Sequence, residues 1–427
     1  MPYTKKQSNL GNKVNLRTEI IAGLIGYLTT VYIVAVNGSI LSEAGISLES
    51  GMLATILVSF LGTLLMGLFG KLPLLLIPGM GINALFAYSI VGGTGLTFQE
   101  GLAAVLIAAF IFLITAFSKL GIILKKAIPD ALKHAISVGL GFFLILIGLE
   151  KSGLVISGEN TIIAIGDFTS PNVIASLLTL FFAIFLFMRN VPANFLFTMI
   201  SGTILAYFLG TVEEGSSAVN VGFEELFFIP SFSAVNELSF WLAVFPLALI
   251  LIFENMGLIT GQLHMLKRND SYQKAYKITA FSTLTCAFLG TSPTVSAAEN
   301  AAVITSNGKT GKTAISASLL FLATIFIIPW ISMIPNSAIS PILIIVGVVM
   351  AINIRYIPAD DLSEALPAFL IVVMIPFTYS IADGMAFGFI AYPVVKMALG
   401  KFKEIPVTLI VISILFLFDF VMKVAGV

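Results

Sequence analysis

The chain is poor in everything a water-facing surface needs. Asp, Glu, Lys and Arg make up only 10% of its 427 residues, where a soluble domain carries about 25%. So few charges cannot clothe a soluble enzyme or a disordered chain. Formal net charge is zero, so no polyanion is implied and nucleic acid is not an expected partner. The single cysteine, Cys286, cannot form an internal disulfide, and with only two histidines, His134 and His264, no Cys/His metal cluster can be assembled. What is abundant is apolar: 58% of the residues, with a mean hydropathy of +1.06. The apolar stretches are continuous rather than alternating, which excludes a transmembrane β-barrel. The expectation is an all-α polytopic membrane protein.

A span takes about 20 mostly apolar residues. Runs fall near 19–41, 51–70, 72–90, 98–118, 131–149, 171–188, 192–210, 238–261, 275–291, 293–305, 314–333, 338–353, 364–381 and 383–398. A further run at 405–426 has no assigned place. Residues 1–18 are polar and basic and lead into a run long enough to span, so a retained anchor is expected, not a cleaved signal. With the N-terminus inside and the runs alternating, 20 of the 22 Lys and Arg fall on the inner side, the exceptions being Lys151 and Lys423. This is the positive-inside pattern of a plasma-membrane protein with a cytoplasmic N-terminus. The segment 211–237, with five glutamates and no base, falls outside.

That segment divides the chain into halves of seven elements. An odd number per half means that the second half enters the membrane from the opposite side, as in the inverted repeats of transporters. The third element of each half is interrupted: Pro78-Gly79-Met80-Gly81-Ile82-Asn83 in the first, Gly290-Thr291-Ser292-Pro293-Thr294-Val295-Ser296 in the second. A broken helix frees backbone N–H and C=O groups that lipid cannot satisfy. Matched breaks in two halves are the best sequence pointer to a binding site.

Glu254, Glu299, Asp383 and Asp419 lie within apolar runs, and an ionisable group there is a functional candidate. Glu254 has Gly257 and Gly261 on its helical face, which leaves room for a cavity. Glu299 follows the second break, with Ser292 and Ser296 at helical spacing. Asp383 reads as a turn or helix-cap residue, and Asp419 as a partner of Lys423 at i+4. His134 and His264 adjoin basic segments and should be exposed. Phe86 and Tyr88 follow the first break, where an aromatic face can stack on a planar ligand. Ser306-Asn307-Gly308-Lys309-Thr310-Gly311 looks like a phosphate-binding loop fragment, but its spacing is wrong and no nucleotide domain surrounds it. No nucleophile–base pair or cofactor motif is present, so an enzyme is not expected, and transport, if it occurs, draws on an ion gradient or is passive.

Arg17-Thr18-Glu19-Ile20-Ile21-Ala22-Gly23, Pro78 to Ala84, Gly290-Thr291-Ser292, Glu299, Thr378 to Gly384 and Gly388-Phe389 together resemble the AzgA-like purine permeases of the xanthine/uracil permease (nucleobase/ascorbate transporter) superfamily. The resemblance implies fourteen elements as a 7+7 inverted repeat. It implies a core domain of 1–125 and 238–335 and a gate domain of 126–237 and 336–427, with short extended stretches in elements three and ten. It also implies uptake of guanine, hypoxanthine, adenine or xanthine with a proton. The substrate-contacting Gly-x-Asn falls on Gly81 and Asn83, and the acidic positions fall on Glu254 and Glu299. The branch usually has Asp at position 254, and a second Asp one turn earlier, where this chain has Leu251.

The expected substrate site is therefore Glu254, Glu299, Asn83, Gly81, Phe86 and Ser296, with Glu254 and Glu299 as proton-coupling candidates. The expected partners are a purine base, a proton and the bilayer; the oligomeric state is open, a homodimer included. The alternatives are a transporter of uracil or an anion on the same fold, or a channel. Paired carboxylates disfavour an anion, and one midplane cluster is unlike a pore stripe.

Overall fold

The computed structural model describes residues 15–118, 121, 128–158, 161–212 and 227–425, the last four by backbone alone. Lys5, Lys6, Lys13, Lys119, Lys125, Lys126, Glu213, Glu214, Glu224, Glu225 and the Lys423 side chain lie outside the described residues. The pairing expected of Asp419 with Lys423 lies outside them too.

The first half runs α1 (Leu16–Thr30) and α2 (Tyr32–Ser42), α3 (Leu48–Leu65), β1 (Leu76–Pro78) with α4 (Met80–Ala84), α5 (Phe98–Phe117), α6 (Asp130–Lys151), α7 (Pro171–Met188) and α8 (Asn194–Phe208). The second runs α9 (Leu238–Met265), α10 (Tyr272–Phe288), β2 (Thr294–Ser296) with α11 (Asn300–Thr305), α12 (Gly311–Ala323), α13 (Asn336–Ala351), α14 (Leu362–Thr378) and α15 (Ile381–Ala398). The run left unplaced in the sequence is a helix, α16 (Val407–Ala425), packed on α15 and touching α9. Among the described residues, nine helical segments are long and apolar enough to cross a membrane.

Equivalent elements of the two halves meet, as a 7+7 inverted repeat requires. β1 pairs antiparallel with β2, Leu76 opposite Ser296 and Pro78 opposite Thr294. Likewise α6 lies on α13: a Cβ on Gly141 would overlap the Gly347 carbonyl, and one on Gly347 would overlap the Gly141 carbonyl. Only glycine lets two helix backbones approach so closely.

Two groups of helices result. In one, α1 packs on α12, α2 on α3, α3 on α10 and α12, and α5 on α9 and α10. In the other, α6 packs on α13 and α14, α7 on α8 and α13, and α14 on α15. Large apolar side chains such as Phe181, Phe208, Phe326 and Trp330 are left exposed, as suits a lipid-facing surface.

Local sequence sets the ends. Ser47 accepts from Ser50 N at the start of α3, and Thr97 and Glu100 form a reciprocal capping box on α5. The cap of α15 is Ser380, whose hydroxyl accepts from Asp383 N at 3.2 Å; Asp383, expected as a turn or cap residue, lies instead in the first helical turn. His264 is exposed as expected, but His134 is only partly so, its ring tilted on that of Tyr356 at 5.1 Å.

Candidate transport site

The two breaks become one structure. Pro78 and Pro293 end their segments, and the strands between break and helix pair with each other. Gly79 N then donates to Pro293 O at 3.3 Å, and Ala297 N to Leu75 O at 3.0 Å. Side chains take up much of what the pairing leaves. Thr63 Oγ1 accepts from Leu76 N and donates to Leu76 O, at 3.0 and 3.1 Å. Asn300 accepts from Leu75 N at 2.8 Å and donates to Leu75 O at 3.1 Å. Sequence reasoning assigned the freed backbone groups to a cavity or ligand; buried hydroxyls and amides satisfy several of them instead.

Ser296 is central to this network and fully buried. Its N–H donates to Asn255 Oδ1 at 3.2 Å, and its hydroxyl to Gln262 Oε1 at 2.6 Å. Gln262 Nε2 donates to Ala297 O at 2.7 Å. Asn255 and Gln262, both on α9, thus tie the helix carrying Glu254 to the strand leading to Glu299. These amides escaped sequence reasoning because they carry no charge to mark them at membrane depth.

The Ser292 hydroxyl donates to Asn83 Oδ1. Asn83 is fully buried, and its Nδ2 has no hydrogen-bond partner among the described residues. A buried donor without a partner is costly. Glu299, partly exposed, accepts from the Tyr32 hydroxyl through Oε1 at 2.6 Å. Glu254, also partly exposed, has no hydrogen-bond partner among the described residues. A Cβ on Gly257 or Gly261 would meet nothing within 4 Å, so its helical face is open.

Two expected site residues sit differently. Gly81 is buried where a Cβ would come within 3.1 Å of Leu140 and 3.3 Å of Met350, so it lets the helices of the second group approach. Phe86 is fully buried, edge-on to Phe98 with centroids 5.6 Å apart, and offers no free face to a ligand. Tyr88 sits edge-on to both Phe143 and Tyr379 at 6.0 Å. It borders a cavity of about 440 Å³ with Thr378, Tyr379, Asp383 and Asp419, which includes neither Glu254 nor Glu299. Asp419 is 4% exposed.

Glu19, which motif reasoning used without assigning it a role, is 1% exposed. Its carboxylate accepts from Lys309 N, from Thr310 N and Oγ1, and from Thr313 Oγ1. The segment that looks like a phosphate loop therefore holds an internal carboxylate, fastening α1 to the start of α12.

The Permease family model matches residues 17–387. The chain belongs to the Permease family. Among curated relatives, the nucleobase transporter PlAzg2 of Paenibacillus larvae is 41% identical over 88% of this chain and 76% of its own length. The guanine/hypoxanthine permease PbuO of Bacillus subtilis is 35% identical over 95% and 97%. The adenine permease AdeP of Escherichia coli is 33% identical over 95% and 93%. These relatives bear out the resemblance to AzgA-like permeases. Of solved structures, the transmembrane domain of the cyanobacterial bicarbonate transporter BicA superposes with a TM-score of 0.65 at 15% identity, over 86% of this permease and 97% of that chain. The murine anion transporter Slc26a9 gives 0.65 at 13%, over 91% and 69%. At such identities the likeness shows the fold alone, and it is the 7+7 fold. The permease is a multi-pass membrane protein.

Proposed function

We propose that this permease imports purine nucleobases by proton symport across the plasma membrane, with its N-terminus in the cytoplasm. What supports the reading is the set of polar groups on the elements that form the joined breaks. Glu299 follows the second break and accepts from Tyr32, Asn83 follows the first with a buried amide donor that has no partner among the described residues, and Glu254 lies on α9 next to Asn255, whose side chain holds Ser296 N. A purine is flat and rich in N–H donors and ring-nitrogen acceptors, so carboxylates can take its N–H edges and the Asn83 amide can serve an acceptor. The names of PlAzg2, PbuO and AdeP, all permeases or transporters of nucleobases, support the same substrate class.

One of the two glutamates carries the coupled proton, since a carboxyl group can take one up and release it. Glu254, without a hydrogen-bond partner among the described residues, is the freer to gain and lose it. The strand-bearing group is the core, built from 1–125 and 238–335. The other is the gate, built from 126–237 and 336–427. Access alternates as the core moves against the gate. No catalytic step and no cofactor enter this reading.

An uptake panel of radiolabelled guanine, hypoxanthine, adenine, xanthine, uracil, sulfate and bicarbonate, in cells lacking their own purine carriers, tests it. Saturable purine uptake that collapses with the proton gradient is expected. Transport of an anion without purine competition overturns it.

A further inference from the structure

Tyr32 is one of ten tyrosines in the sequence and carries no charge to mark it. It follows the point where α1 gives way to α2 at Val31. Thr29 and Thr30 each turn a hydroxyl back onto a carbonyl of the preceding turn, Thr29 to Ile25 O at 2.9 Å and Thr30 to Gly26 O at 2.7 Å. Such back-bonding loosens and bends a helix. The offset leaves Tyr32 only 1% exposed, between two different bodies of the protein. Its hydroxyl donates to Glu299 Oε1 at 2.6 Å, within the strand-bearing group. Its ring lies against Phe195 of α8, in the other group, with centroids 4.8 Å apart and planes at 60°. Phe195 is itself stacked on Phe187 of α7 at 6.4 Å, so the ring meets a supported aromatic wall.

We propose that Tyr32 is a positioning residue of the transport site, fixing the Glu299 carboxylate for the ligand and tying that geometry to the gate through Phe195. The inference rests on the purine-transport reading above. A carboxylate has two oxygens and a soft terminal torsion. With Oε1 held by the Tyr32 hydroxyl, the Glu299 carboxyl group turns Oε2 in a defined direction. Orientation set in advance is not lost as entropy when a base binds. The other end of the same side chain touches the body against which the core moves. A shift of the core that separates Tyr32 from Phe195 removes the ring's support and frees the hydroxyl. Binding geometry thus holds only while core and gate stand as they do here.

Two variants separate these parts. Tyr32→Phe keeps the ring and its seat on Phe195 but removes the donor to Glu299. Loss of this hydrogen bond should weaken guanine and hypoxanthine binding to purified protein by about two- to tenfold. The ranking of purines that differ in their N–H edge should shift as well. A merely structural tyrosine would lower the melting temperature and leave the ranking alone. Phe195→Leu leaves a somewhat smaller apolar side chain and removes the aromatic contact. It should weaken guanine and hypoxanthine binding by about two- to tenfold, the value of an aromatic pair, as the support of the Tyr32 ring is lost. Unchanged affinity and ranking in Tyr32→Phe, beside a wild type that binds purines, overturns the positioning role. Unchanged affinity in Phe195→Leu overturns the link to the gate. A wild type that binds no purine fails the functional reading instead.

Discussion

Ser292 donates its hydroxyl to the side-chain carbonyl of Asn83, a residue 209 positions earlier in the chain. The bond joins the broken element of one half to that of the other, beside the β1–β2 ladder that joins their backbones. The two breaks form one unit, so a ligand held there, as proposed, would touch both halves of the repeat at once.

This relationship makes Ser292→Ala informative. Removing the hydroxyl leaves Asn83 Oδ1 buried without that partner, at a cost of about 1–3 kcal/mol. A lower melting temperature is expected, together with weaker purine binding, because the Asn83 amide loses its fixed orientation. Thermal unfolding and binding measured on one preparation check both; a destabilised variant with wild-type affinity separates Asn83 from the ligand.

Glu19 should behave in the opposite way. Its carboxylate satisfies backbone N–H groups at Lys309 and Thr310, away from the joined breaks. Glu19→Ala strands those donors and should cost about 1–3 kcal/mol or somewhat more. Yield and melting temperature should fall while purine affinity in the surviving protein is kept. A selective loss of affinity would place Glu19 in the transport cycle rather than in the scaffold.

The Gly141–Gly347 crossing gives a packing test. Alanine at either position drives a Cβ into a backbone carbonyl, which cannot swing aside as a side chain can. Overpacking of this kind costs about 1–3 kcal/mol. Gly257→Ala, with nothing within 4 Å, should leave stability unchanged. Equal melting temperatures for Gly141→Ala and Gly257→Ala would contradict the close approach of α6 and α13.

What the sequence disclosed and what it concealed have a common cause. Proline and glycine announce a helix break wherever they stand, so both interruptions were visible, and continuous apolar runs gave the element count. Charge announces itself at membrane depth, so Glu254 and Glu299 stood out as candidates. Asn255, Gln262 and Asn300 carry neither mark, and only the fold shows that they satisfy the broken backbone. Phe86 misled because an aromatic residue beside a break has the same letter whether it faces a ligand or Phe98. Glu19 sits among polar terminal residues in sequence, and only the docking of α1 on α12 buries it.

Orientation can be read by labelling. Lys274 and Glu237 are both exposed, and the Lys/Arg pattern puts the first inside and the second outside. Cys286 is buried, so the native background is low. A membrane-impermeant maleimide added to intact cells should label Glu237→Cys and spare Lys274→Cys. The reverse pattern would invert the proposed topology.

Glu299→Gln is the sharpest test of the site. The side chain keeps its size, and its amide oxygen can still accept from the Tyr32 hydroxyl, so that hydrogen bond survives. The second oxygen becomes an NH₂ group. If that position accepts a purine N–H, two donors now face each other, and one is left buried without a partner. The penalty of about 1–3 kcal/mol corresponds to roughly five- to 150-fold in affinity. The variant should therefore reach the membrane in normal amount, melt near the wild-type temperature and lose most of its purine binding. A Glu299 that only supports the fold gives the opposite pattern, with poor yield and near-normal affinity in the protein recovered. Expression, melting temperature and purine affinity measured on the same purified sample decide between them, and unchanged affinity removes Glu299 from the transport site.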